Sequence, residues 1–117
     1  MKKVLIADDD PITVERLKEV LKPRDYDVMT VRDGKECLKV AIKEEPDIII
    51  LDVVMPVLNG LDALRELRKT SDVPVVVMSA YGNHDKVEEA RELGIECFMN
   101  KPFDPEVLVE MLDVIFL

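Results

Sequence analysis

Two short runs, Ile48-Ile49-Ile50-Leu51 and Val75-Val76-Val77-Met78, are apolar at every position. A strand with one wet face alternates apolar and polar residues, whereas a strand covered on both faces does not. These runs therefore read as the central strands of a parallel sheet with helices above and below. They are far too short to cross a bilayer, which takes roughly 20 apolar residues. Three further β-rich runs, Lys3 to Ala7, Asp27 to Val31 and Glu96 to Met99, complete a set of five. Between the five lie longer stretches whose apolar residues recur at three and four, so a βα unit repeats five times.

Helix punctuation supports that division. Asp10-Pro11 and Asp104-Pro105 each place an N-cap before a proline at the first helical position. Asp33-Gly34 and Asn59-Gly60 open the second and third helices, Gly94 follows the fourth, and Pro23 stops the first. The Asp27 to Val31 run partly alternates and reads as an edge. The expected fold is α/β, a doubly wound five-stranded parallel sheet of order 2-1-3-4-5, because 117 residues are too few for an eight-unit barrel.

One domain over residues 1–117 is expected at this length. Sixteen basic residues against twenty-five acidic ones give a net charge of −9, which argues against a nucleic-acid partner. Behind Met1-Lys2-Lys3 only Val4 to Ala7 is apolar before three aspartates, too little for an export signal, so a cytoplasmic protein is expected. Cys37 and Cys97 lack metal or disulfide spacing and read as small core fillers, as do the six methionines, with Met55 a candidate exception beside the third strand. The single histidine, His84, opens a polar helical turn without partner ligands.

In open α/β sheets ligands bind beyond the carboxyl ends of the strands, where the strand order reverses. At that rim the sequence places Asp8-Asp9-Asp10, Asp52, Ser79-Ala80 and Lys101-Pro102. Each has a plain structural explanation alone: a cap for Asp10, a turn for Asp52, a strand end for Ser79, a solvated charge for Lys101. Together they make a site. Carboxylates of Asp8, Asp9 and Asp52 converging at 4 Å repel by roughly 4 kcal/mol per pair at an effective dielectric of about 20. Lys101 and a divalent cation would balance them, and oxygen-only donors select Mg²⁺ or Mn²⁺ over zinc. Because Mg²⁺ shares its shell with phosphoryl oxygens, Asp52 becomes the candidate nucleophile, with Ser79 and Lys101 on the phosphoryl group.

At these residues the sequence resembles the response-regulator receiver domain of two-component signalling, CheY-like and flavodoxin-like in fold. The resemblance rests on Asp8-Asp9 after Val4-Leu5-Ile6-Ala7, Leu51-Asp52-Val53-Val54-Met55-Pro56, Gly60, Ser79-Ala80 and Lys101-Pro102-Phe103. It implies that Asp8, Asp9, Asp52 and the Val54 carbonyl bind Mg²⁺. It also implies that Asp52 accepts phosphate from a histidine kinase or phosphotransfer protein, and that Lys101, joined to Pro102 by a cis peptide, contacts the phosphate. Ser79 and Phe98 fall where the family keeps its hydroxyl and aromatic switch. A downstream protein target or a homodimer would then read the surface of the fourth helix, fifth strand and fifth helix. No catalysis beyond the domain's own phosphorylation and dephosphorylation is implied.

Val54 and Tyr81, each two residues beyond a site residue, are bulky and lack a base for water, so slow self-dephosphorylation is expected. From Glu106 to Leu117 only Glu106, Glu110 and Asp113 are polar, a narrow wet stripe that suggests a partner. The sequence ends just after that helix, which reads as a stand-alone regulator or an excised receiver. Two other readings compete. A small Mg²⁺-dependent phosphatase of haloacid dehalogenase type would need D-x-D-x-T, but Ile12 stands where the threonine belongs. A degenerate receiver acting only as a docking surface is the other, against which all the site residues are present.

Overall fold

The computed structural model describes residues 1–80 and 84–117. Five strands, β1 (Lys2–Ala7), β2 (Tyr26–Val31), β3 (Ile48–Asp52), β4 (Val75–Ser79) and β5 (Cys97–Asn100), alternate with five helices. The helices are α1 (Pro11–Leu21), α2 (Gly34–Glu44), α3 (Gly60–Leu67), α4 (His84–Glu92) and α5 (Pro105–Ile115). All strand pairs are parallel, in the order β2-β1-β3-β4-β5.

The all-apolar runs divide their side chains between two layers, as a two-residue period requires. Leu5, Ile49, Leu51, Val75 and Val77 pack with Cys37, Ala41, Leu61, Leu64 and Ala90 of α2, α3 and α4. Val4, Ile6, Ile48, Ile50, Val76 and Met78 pack with Leu17 and Leu21 of α1 and Leu108, Val109 and Leu112 of α5. The central strands are thus covered on both faces, and β2, whose burial alternates in part, is an edge.

The caps form where the residue types place them. Asp10, Asp33, Asn59 and Asp104 each accept a backbone N–H of the first helical turn. At Pro23 the chain leaves α1 through a single 3₁₀ turn, Lys22–Arg24, and reverses at Asp25 with φ 62°. The strands end one residue later than the apolar pattern alone indicates. Asp52, Ser79 and Asn100 are each the last residue of a strand, because the ladder continues through their backbone groups whatever the side chain.

The α3–α4 junction holds a contact that periodicity does not reveal. Arg68, the C-cap of α3, donates Nε to the Leu93 carbonyl at 2.8 Å and Nη2 to the Gly94 carbonyl at 2.8 Å. One turn earlier, Arg65 bridges Asp62 of its own helix and Glu89 of α4. The carbonyls of the two residues that follow α4 are thereby satisfied by a cation from a neighbouring helix.

Candidate phosphoryl-acceptor and metal site

Asp8, Asp9 and Asp10 follow β1 directly and take three different positions. Asp8 is 1% exposed; its N–H donates to the Val31 carbonyl, and its Oδ1 accepts the Asp10 N–H at 2.9 Å. Asp9 is exposed. Asp10 caps α1, accepting Ile12 N–H at 3.1 Å and Thr13 Oγ1 at 2.8 Å. Those bonds, the Thr13 hydroxyl first, hold its carboxyl below the usual range.

Asp52 ends β3, the strand beside β1, so its carboxylate emerges next to that of Asp8. Its Oδ1 accepts the Val54 N–H at 3.2 Å, and its Oδ2 lies 3.1 Å from Lys101 Nζ. The same ammonium donates to Asp8 Oδ2 at 2.6 Å. Lys101 follows β5; its N–H donates to the Ser79 carbonyl at 2.9 Å, and its bond to Pro102 is cis. Ser79, fully buried, ends the strand between the carboxylates and the lysine.

Oxygen atoms of Asp8, Asp9 and Asp52 all lie within 4.8 Å of one another. Burial, and then the charge of Asp8, push the Asp52 carboxyl up to about 6, although Lys101 pulls the other way. Burial alone would lower the Lys101 ammonium, but its bond to Asp8 and the charges of both aspartates outweigh that and raise it. The lysine is therefore held cationic between two acids. Three hard oxygen donors around a strained negative centre fit a small divalent cation, and the cluster holds no imidazole or thiolate that would favour zinc.

Next to Lys101 a cavity of about 350 Å³ opens between the start of α1 and the β5–α5 turn, with Arg16, Thr13 and Phe103 in its wall. Exposed Ile12 lines it as well, and Val54, two residues after Asp52, is also exposed. The periodicity of α1 points its apolar stripe inward, so Ile12 and Arg16 carried no signal as site residues.

Phe98 on β5 is half-buried, packed against the α2–α4 core layer. Met55 packs wholly in that core and is structural. His84 is exposed at the start of α4, away from any metal-type cluster among the described residues. Cys37 is buried, its thiol pushed up to about 12 by desolvation, and Cys97 lies half-buried on the edge strand. The Tyr81 expectation falls outside the described residues.

Residues 4–113 match the response regulator receiver domain. The chain belongs to that family. This receiver domain is 39% identical over 108 residues to a probable transcriptional regulator ycf27 of Cyanophora paradoxa, covering 92% of this chain and 45% of that protein. It is 36% identical over 115 residues to the transcriptional regulatory protein CpxR of Klebsiella pneumoniae, covering 98% of this chain and 49% of that one. The chain thus spans about half the length of the curated relatives it matches. Among solved structures, the chemotaxis response regulator CheY4 of Vibrio cholerae superposes with a TM-score of 0.89 at 32% identity, covering 98% of each chain. The fold is the CheY-like, flavodoxin-type doubly wound sheet. Aspartate phosphorylation and Mg²⁺ binding are general to receiver domains in two-component signalling. The haloacid dehalogenase reading finds no support. No described helix is long and apolar enough to cross a membrane.

Proposed function

We propose that this sequence works as one receiver domain in which Asp52 accepts a phosphoryl group from a histidine kinase or phosphotransfer protein of the cytoplasm. The observation that carries the reading is the sharing of one ammonium, that of Lys101, by the two buried carboxylates of Asp8 and Asp52.

Asp8, Asp9 and Asp52, with the Val54 carbonyl, would hold Mg²⁺, and Mn²⁺ suits the same donors. The ion would supply charge neutralisation for a phosphoryl group entering a pocket of acids. The Asp52 oxygen attacks phosphorus, a P–O bond forms as the P–N bond of the phosphohistidine breaks, and the electron pair leaves on the imidazole. Lys101 already holds its cation 3.1 Å from the attacking carboxylate, so it needs little reorganisation to meet the new negative charge. Ser79 supplies a hydroxyl from the adjoining strand end. Its movement toward the phosphoryl group, with an inward turn of Phe98, would carry the change to the α4–β5–α5 surface.

That surface would meet a downstream protein; nucleic acid is not proposed as a ligand of this domain. The domain transforms only itself, which separates it from a phosphatase. Mass spectrometry after acetyl phosphate treatment with Mg²⁺ tests this. The expected result is a gain of one phosphoryl group that disappears in Asp52→Asn. Retention of the label in that variant, or turnover of many phosphate esters per molecule, would overturn the proposal.

A further inference from the structure

Of the helices in its layer, α4 is the least anchored by apolar burial. Among the described residues it buries only Ala90, whereas α3 beside it buries Leu61, Ala63, Leu64 and Leu67. A helix with so little apolar cover depends on polar contacts to hold its place.

Two such ties come from α3, and both fall on the C-terminal half of α4. Arg68 binds the carbonyls of Leu93 and Gly94, just past the last turn, and the Ser71 carbonyl at 3.2 Å. Arg65 reaches Glu89 within the helix while keeping Asp62 of α3 at 2.6 Å. The opposite end of α4 is the one the chain enters from β4, the strand that Ser79 closes.

The two ties differ in kind. Arg68 grips main chain where it turns into β5: Gly94 has φ 76°, and two residues on the Glu96 N–H donates to the Val75 carbonyl at 2.9 Å. That end is joined to the sheet and cannot shift without opening the β4–β5 pairing. Arg65 and Glu89 are instead a side-chain pair, 44% and 43% exposed. Glu89 stands about 6 Å of helix before Leu93. An exposed pair of this kind is weak, and its loss does not strand the arginine, which retains Asp62.

We propose that Arg68 is a pivot and the Arg65–Glu89 pair a latch: when Asp52 is phosphorylated, α4 swings about its fixed C-terminal end and Glu89 parts from Arg65. The latch stabilises the unphosphorylated arrangement, so part of the free energy of phosphoryl binding goes into breaking it. Arg65 touches neither acceptor nor phosphate and acts as a positioning residue, through α4. This rests on the reading of Asp52 as phosphoryl acceptor and of α4 as part of the responding surface.

Beryllofluoride titration of the ¹⁵N-labelled chain in Mg²⁺ tests it. Glu89→Gln and Arg65→Gln each remove the pair without touching the core, and each should bind beryllofluoride about two- to fivefold more tightly than the parent. The double variant should gain no more than either alone. The ratio to the parent should fall toward one in about 0.5 M NaCl, which screens the parent's pair. In the parent, amides from Asp85 to Glu89 should shift more than those of Leu93 and Gly94. Equal or weaker binding by Glu89→Gln, or additive gains in the double variant, would overturn the latch, since mere loss of structure lowers affinity. Shifts largest at Leu93 and Gly94 would overturn the pivot. A parent whose Asp52 amide shifts while Glu89→Gln shows no gain faults this proposal alone; a parent without that shift faults the acceptor reading beneath it.

Discussion

A Cβ placed on Gly60 would lie 2.0 Å from the carbonyl oxygen of Asp52. The start of α3 is thus pressed directly against the backbone of Asp52, the proposed acceptor, and the Gly60 N–H donates to the Val53 carbonyl at 2.8 Å in the same contact. Because the obstruction is main chain, a methyl group cannot be absorbed by a rotamer change. Gly60→Ala is expected to destabilise the fold by about 2 kcal/mol or more and to weaken acetyl phosphate labelling in whatever fraction stays folded. Urea unfolding and mass spectrometry read the two effects, and unchanged values for both would contradict the close approach.

Metal-free stability should carry the signature of Asp52. Its folded carboxyl titrates at about 6, above the roughly 3.9 of an unfolded aspartate, so the folded state holds the proton longer. The stabilisation linked to that proton is complete below pH 4 and disappears as pH rises through 6. In EDTA at pH 7, Asp52→Asn should therefore be more stable than the parent by about 1–3 kcal/mol, with the gap closing toward pH 4. Millimolar Mg²⁺ should raise the parent's melting temperature and reduce the gap, since an ion bound only by the folded site stabilises by mass action. Parallel pH–stability curves for the two proteins would refute the account.

Val57, in the β3–α3 loop, has φ 69°, a left-handed conformation that a β-branched side chain adopts at a cost of roughly 1–2 kcal/mol. Its side chain is largely exposed, so little packing is lost on truncation. Val57→Gly should raise stability by about 1 kcal/mol in thermal or denaturant melts, after the entropy of the more flexible unfolded chain is subtracted. A destabilised variant would show that the valine makes a contact worth more than its strain.

The phosphoryl group on Asp52 should last minutes or longer in Mg²⁺ buffer. Val54 is half-exposed beside the acceptor and offers water neither a base nor a hydrogen-bond partner. Val54→Asn, which can orient a water molecule, should shorten the lifetime several-fold. Decay of the parent within seconds, followed by loss of radiolabel, would reject the role given to this side chain.

Much of this architecture was legible because its signals are redundant. Ile48 to Leu51 and Val75 to Met78 announce two-sided burial, and Asp10-Pro11 and Asp104-Pro105 announce helix starts, so strand order and helix count follow from patterns that reinforce one another. The cluster of Asp8, Asp52 and Lys101 was legible for a different reason: polar residues at successive strand ends of a parallel sheet are brought to one rim by topology. What escaped was set by main-chain proximity or by arginines that reach from one helix to the next. Arg68 looks like any helix-surface arginine until α4 is placed beside it, and the left-handed Val57 violates the local preference that a sequence reading uses.

Gly34 completes the picture begun by Gly60, for a Cβ there would fall 2.0 Å from the Leu58 carbonyl. The segment from Val53 to Asn59 is consequently wedged at both ends by bare backbone, as a key is held by the walls of a lock with no screw. Its shape is dictated by what is missing from two neighbours and hardly by its own side chains. Exposed Val54 and Val57 can accordingly be exchanged while the peptide groups that follow Asp52 stay where they are.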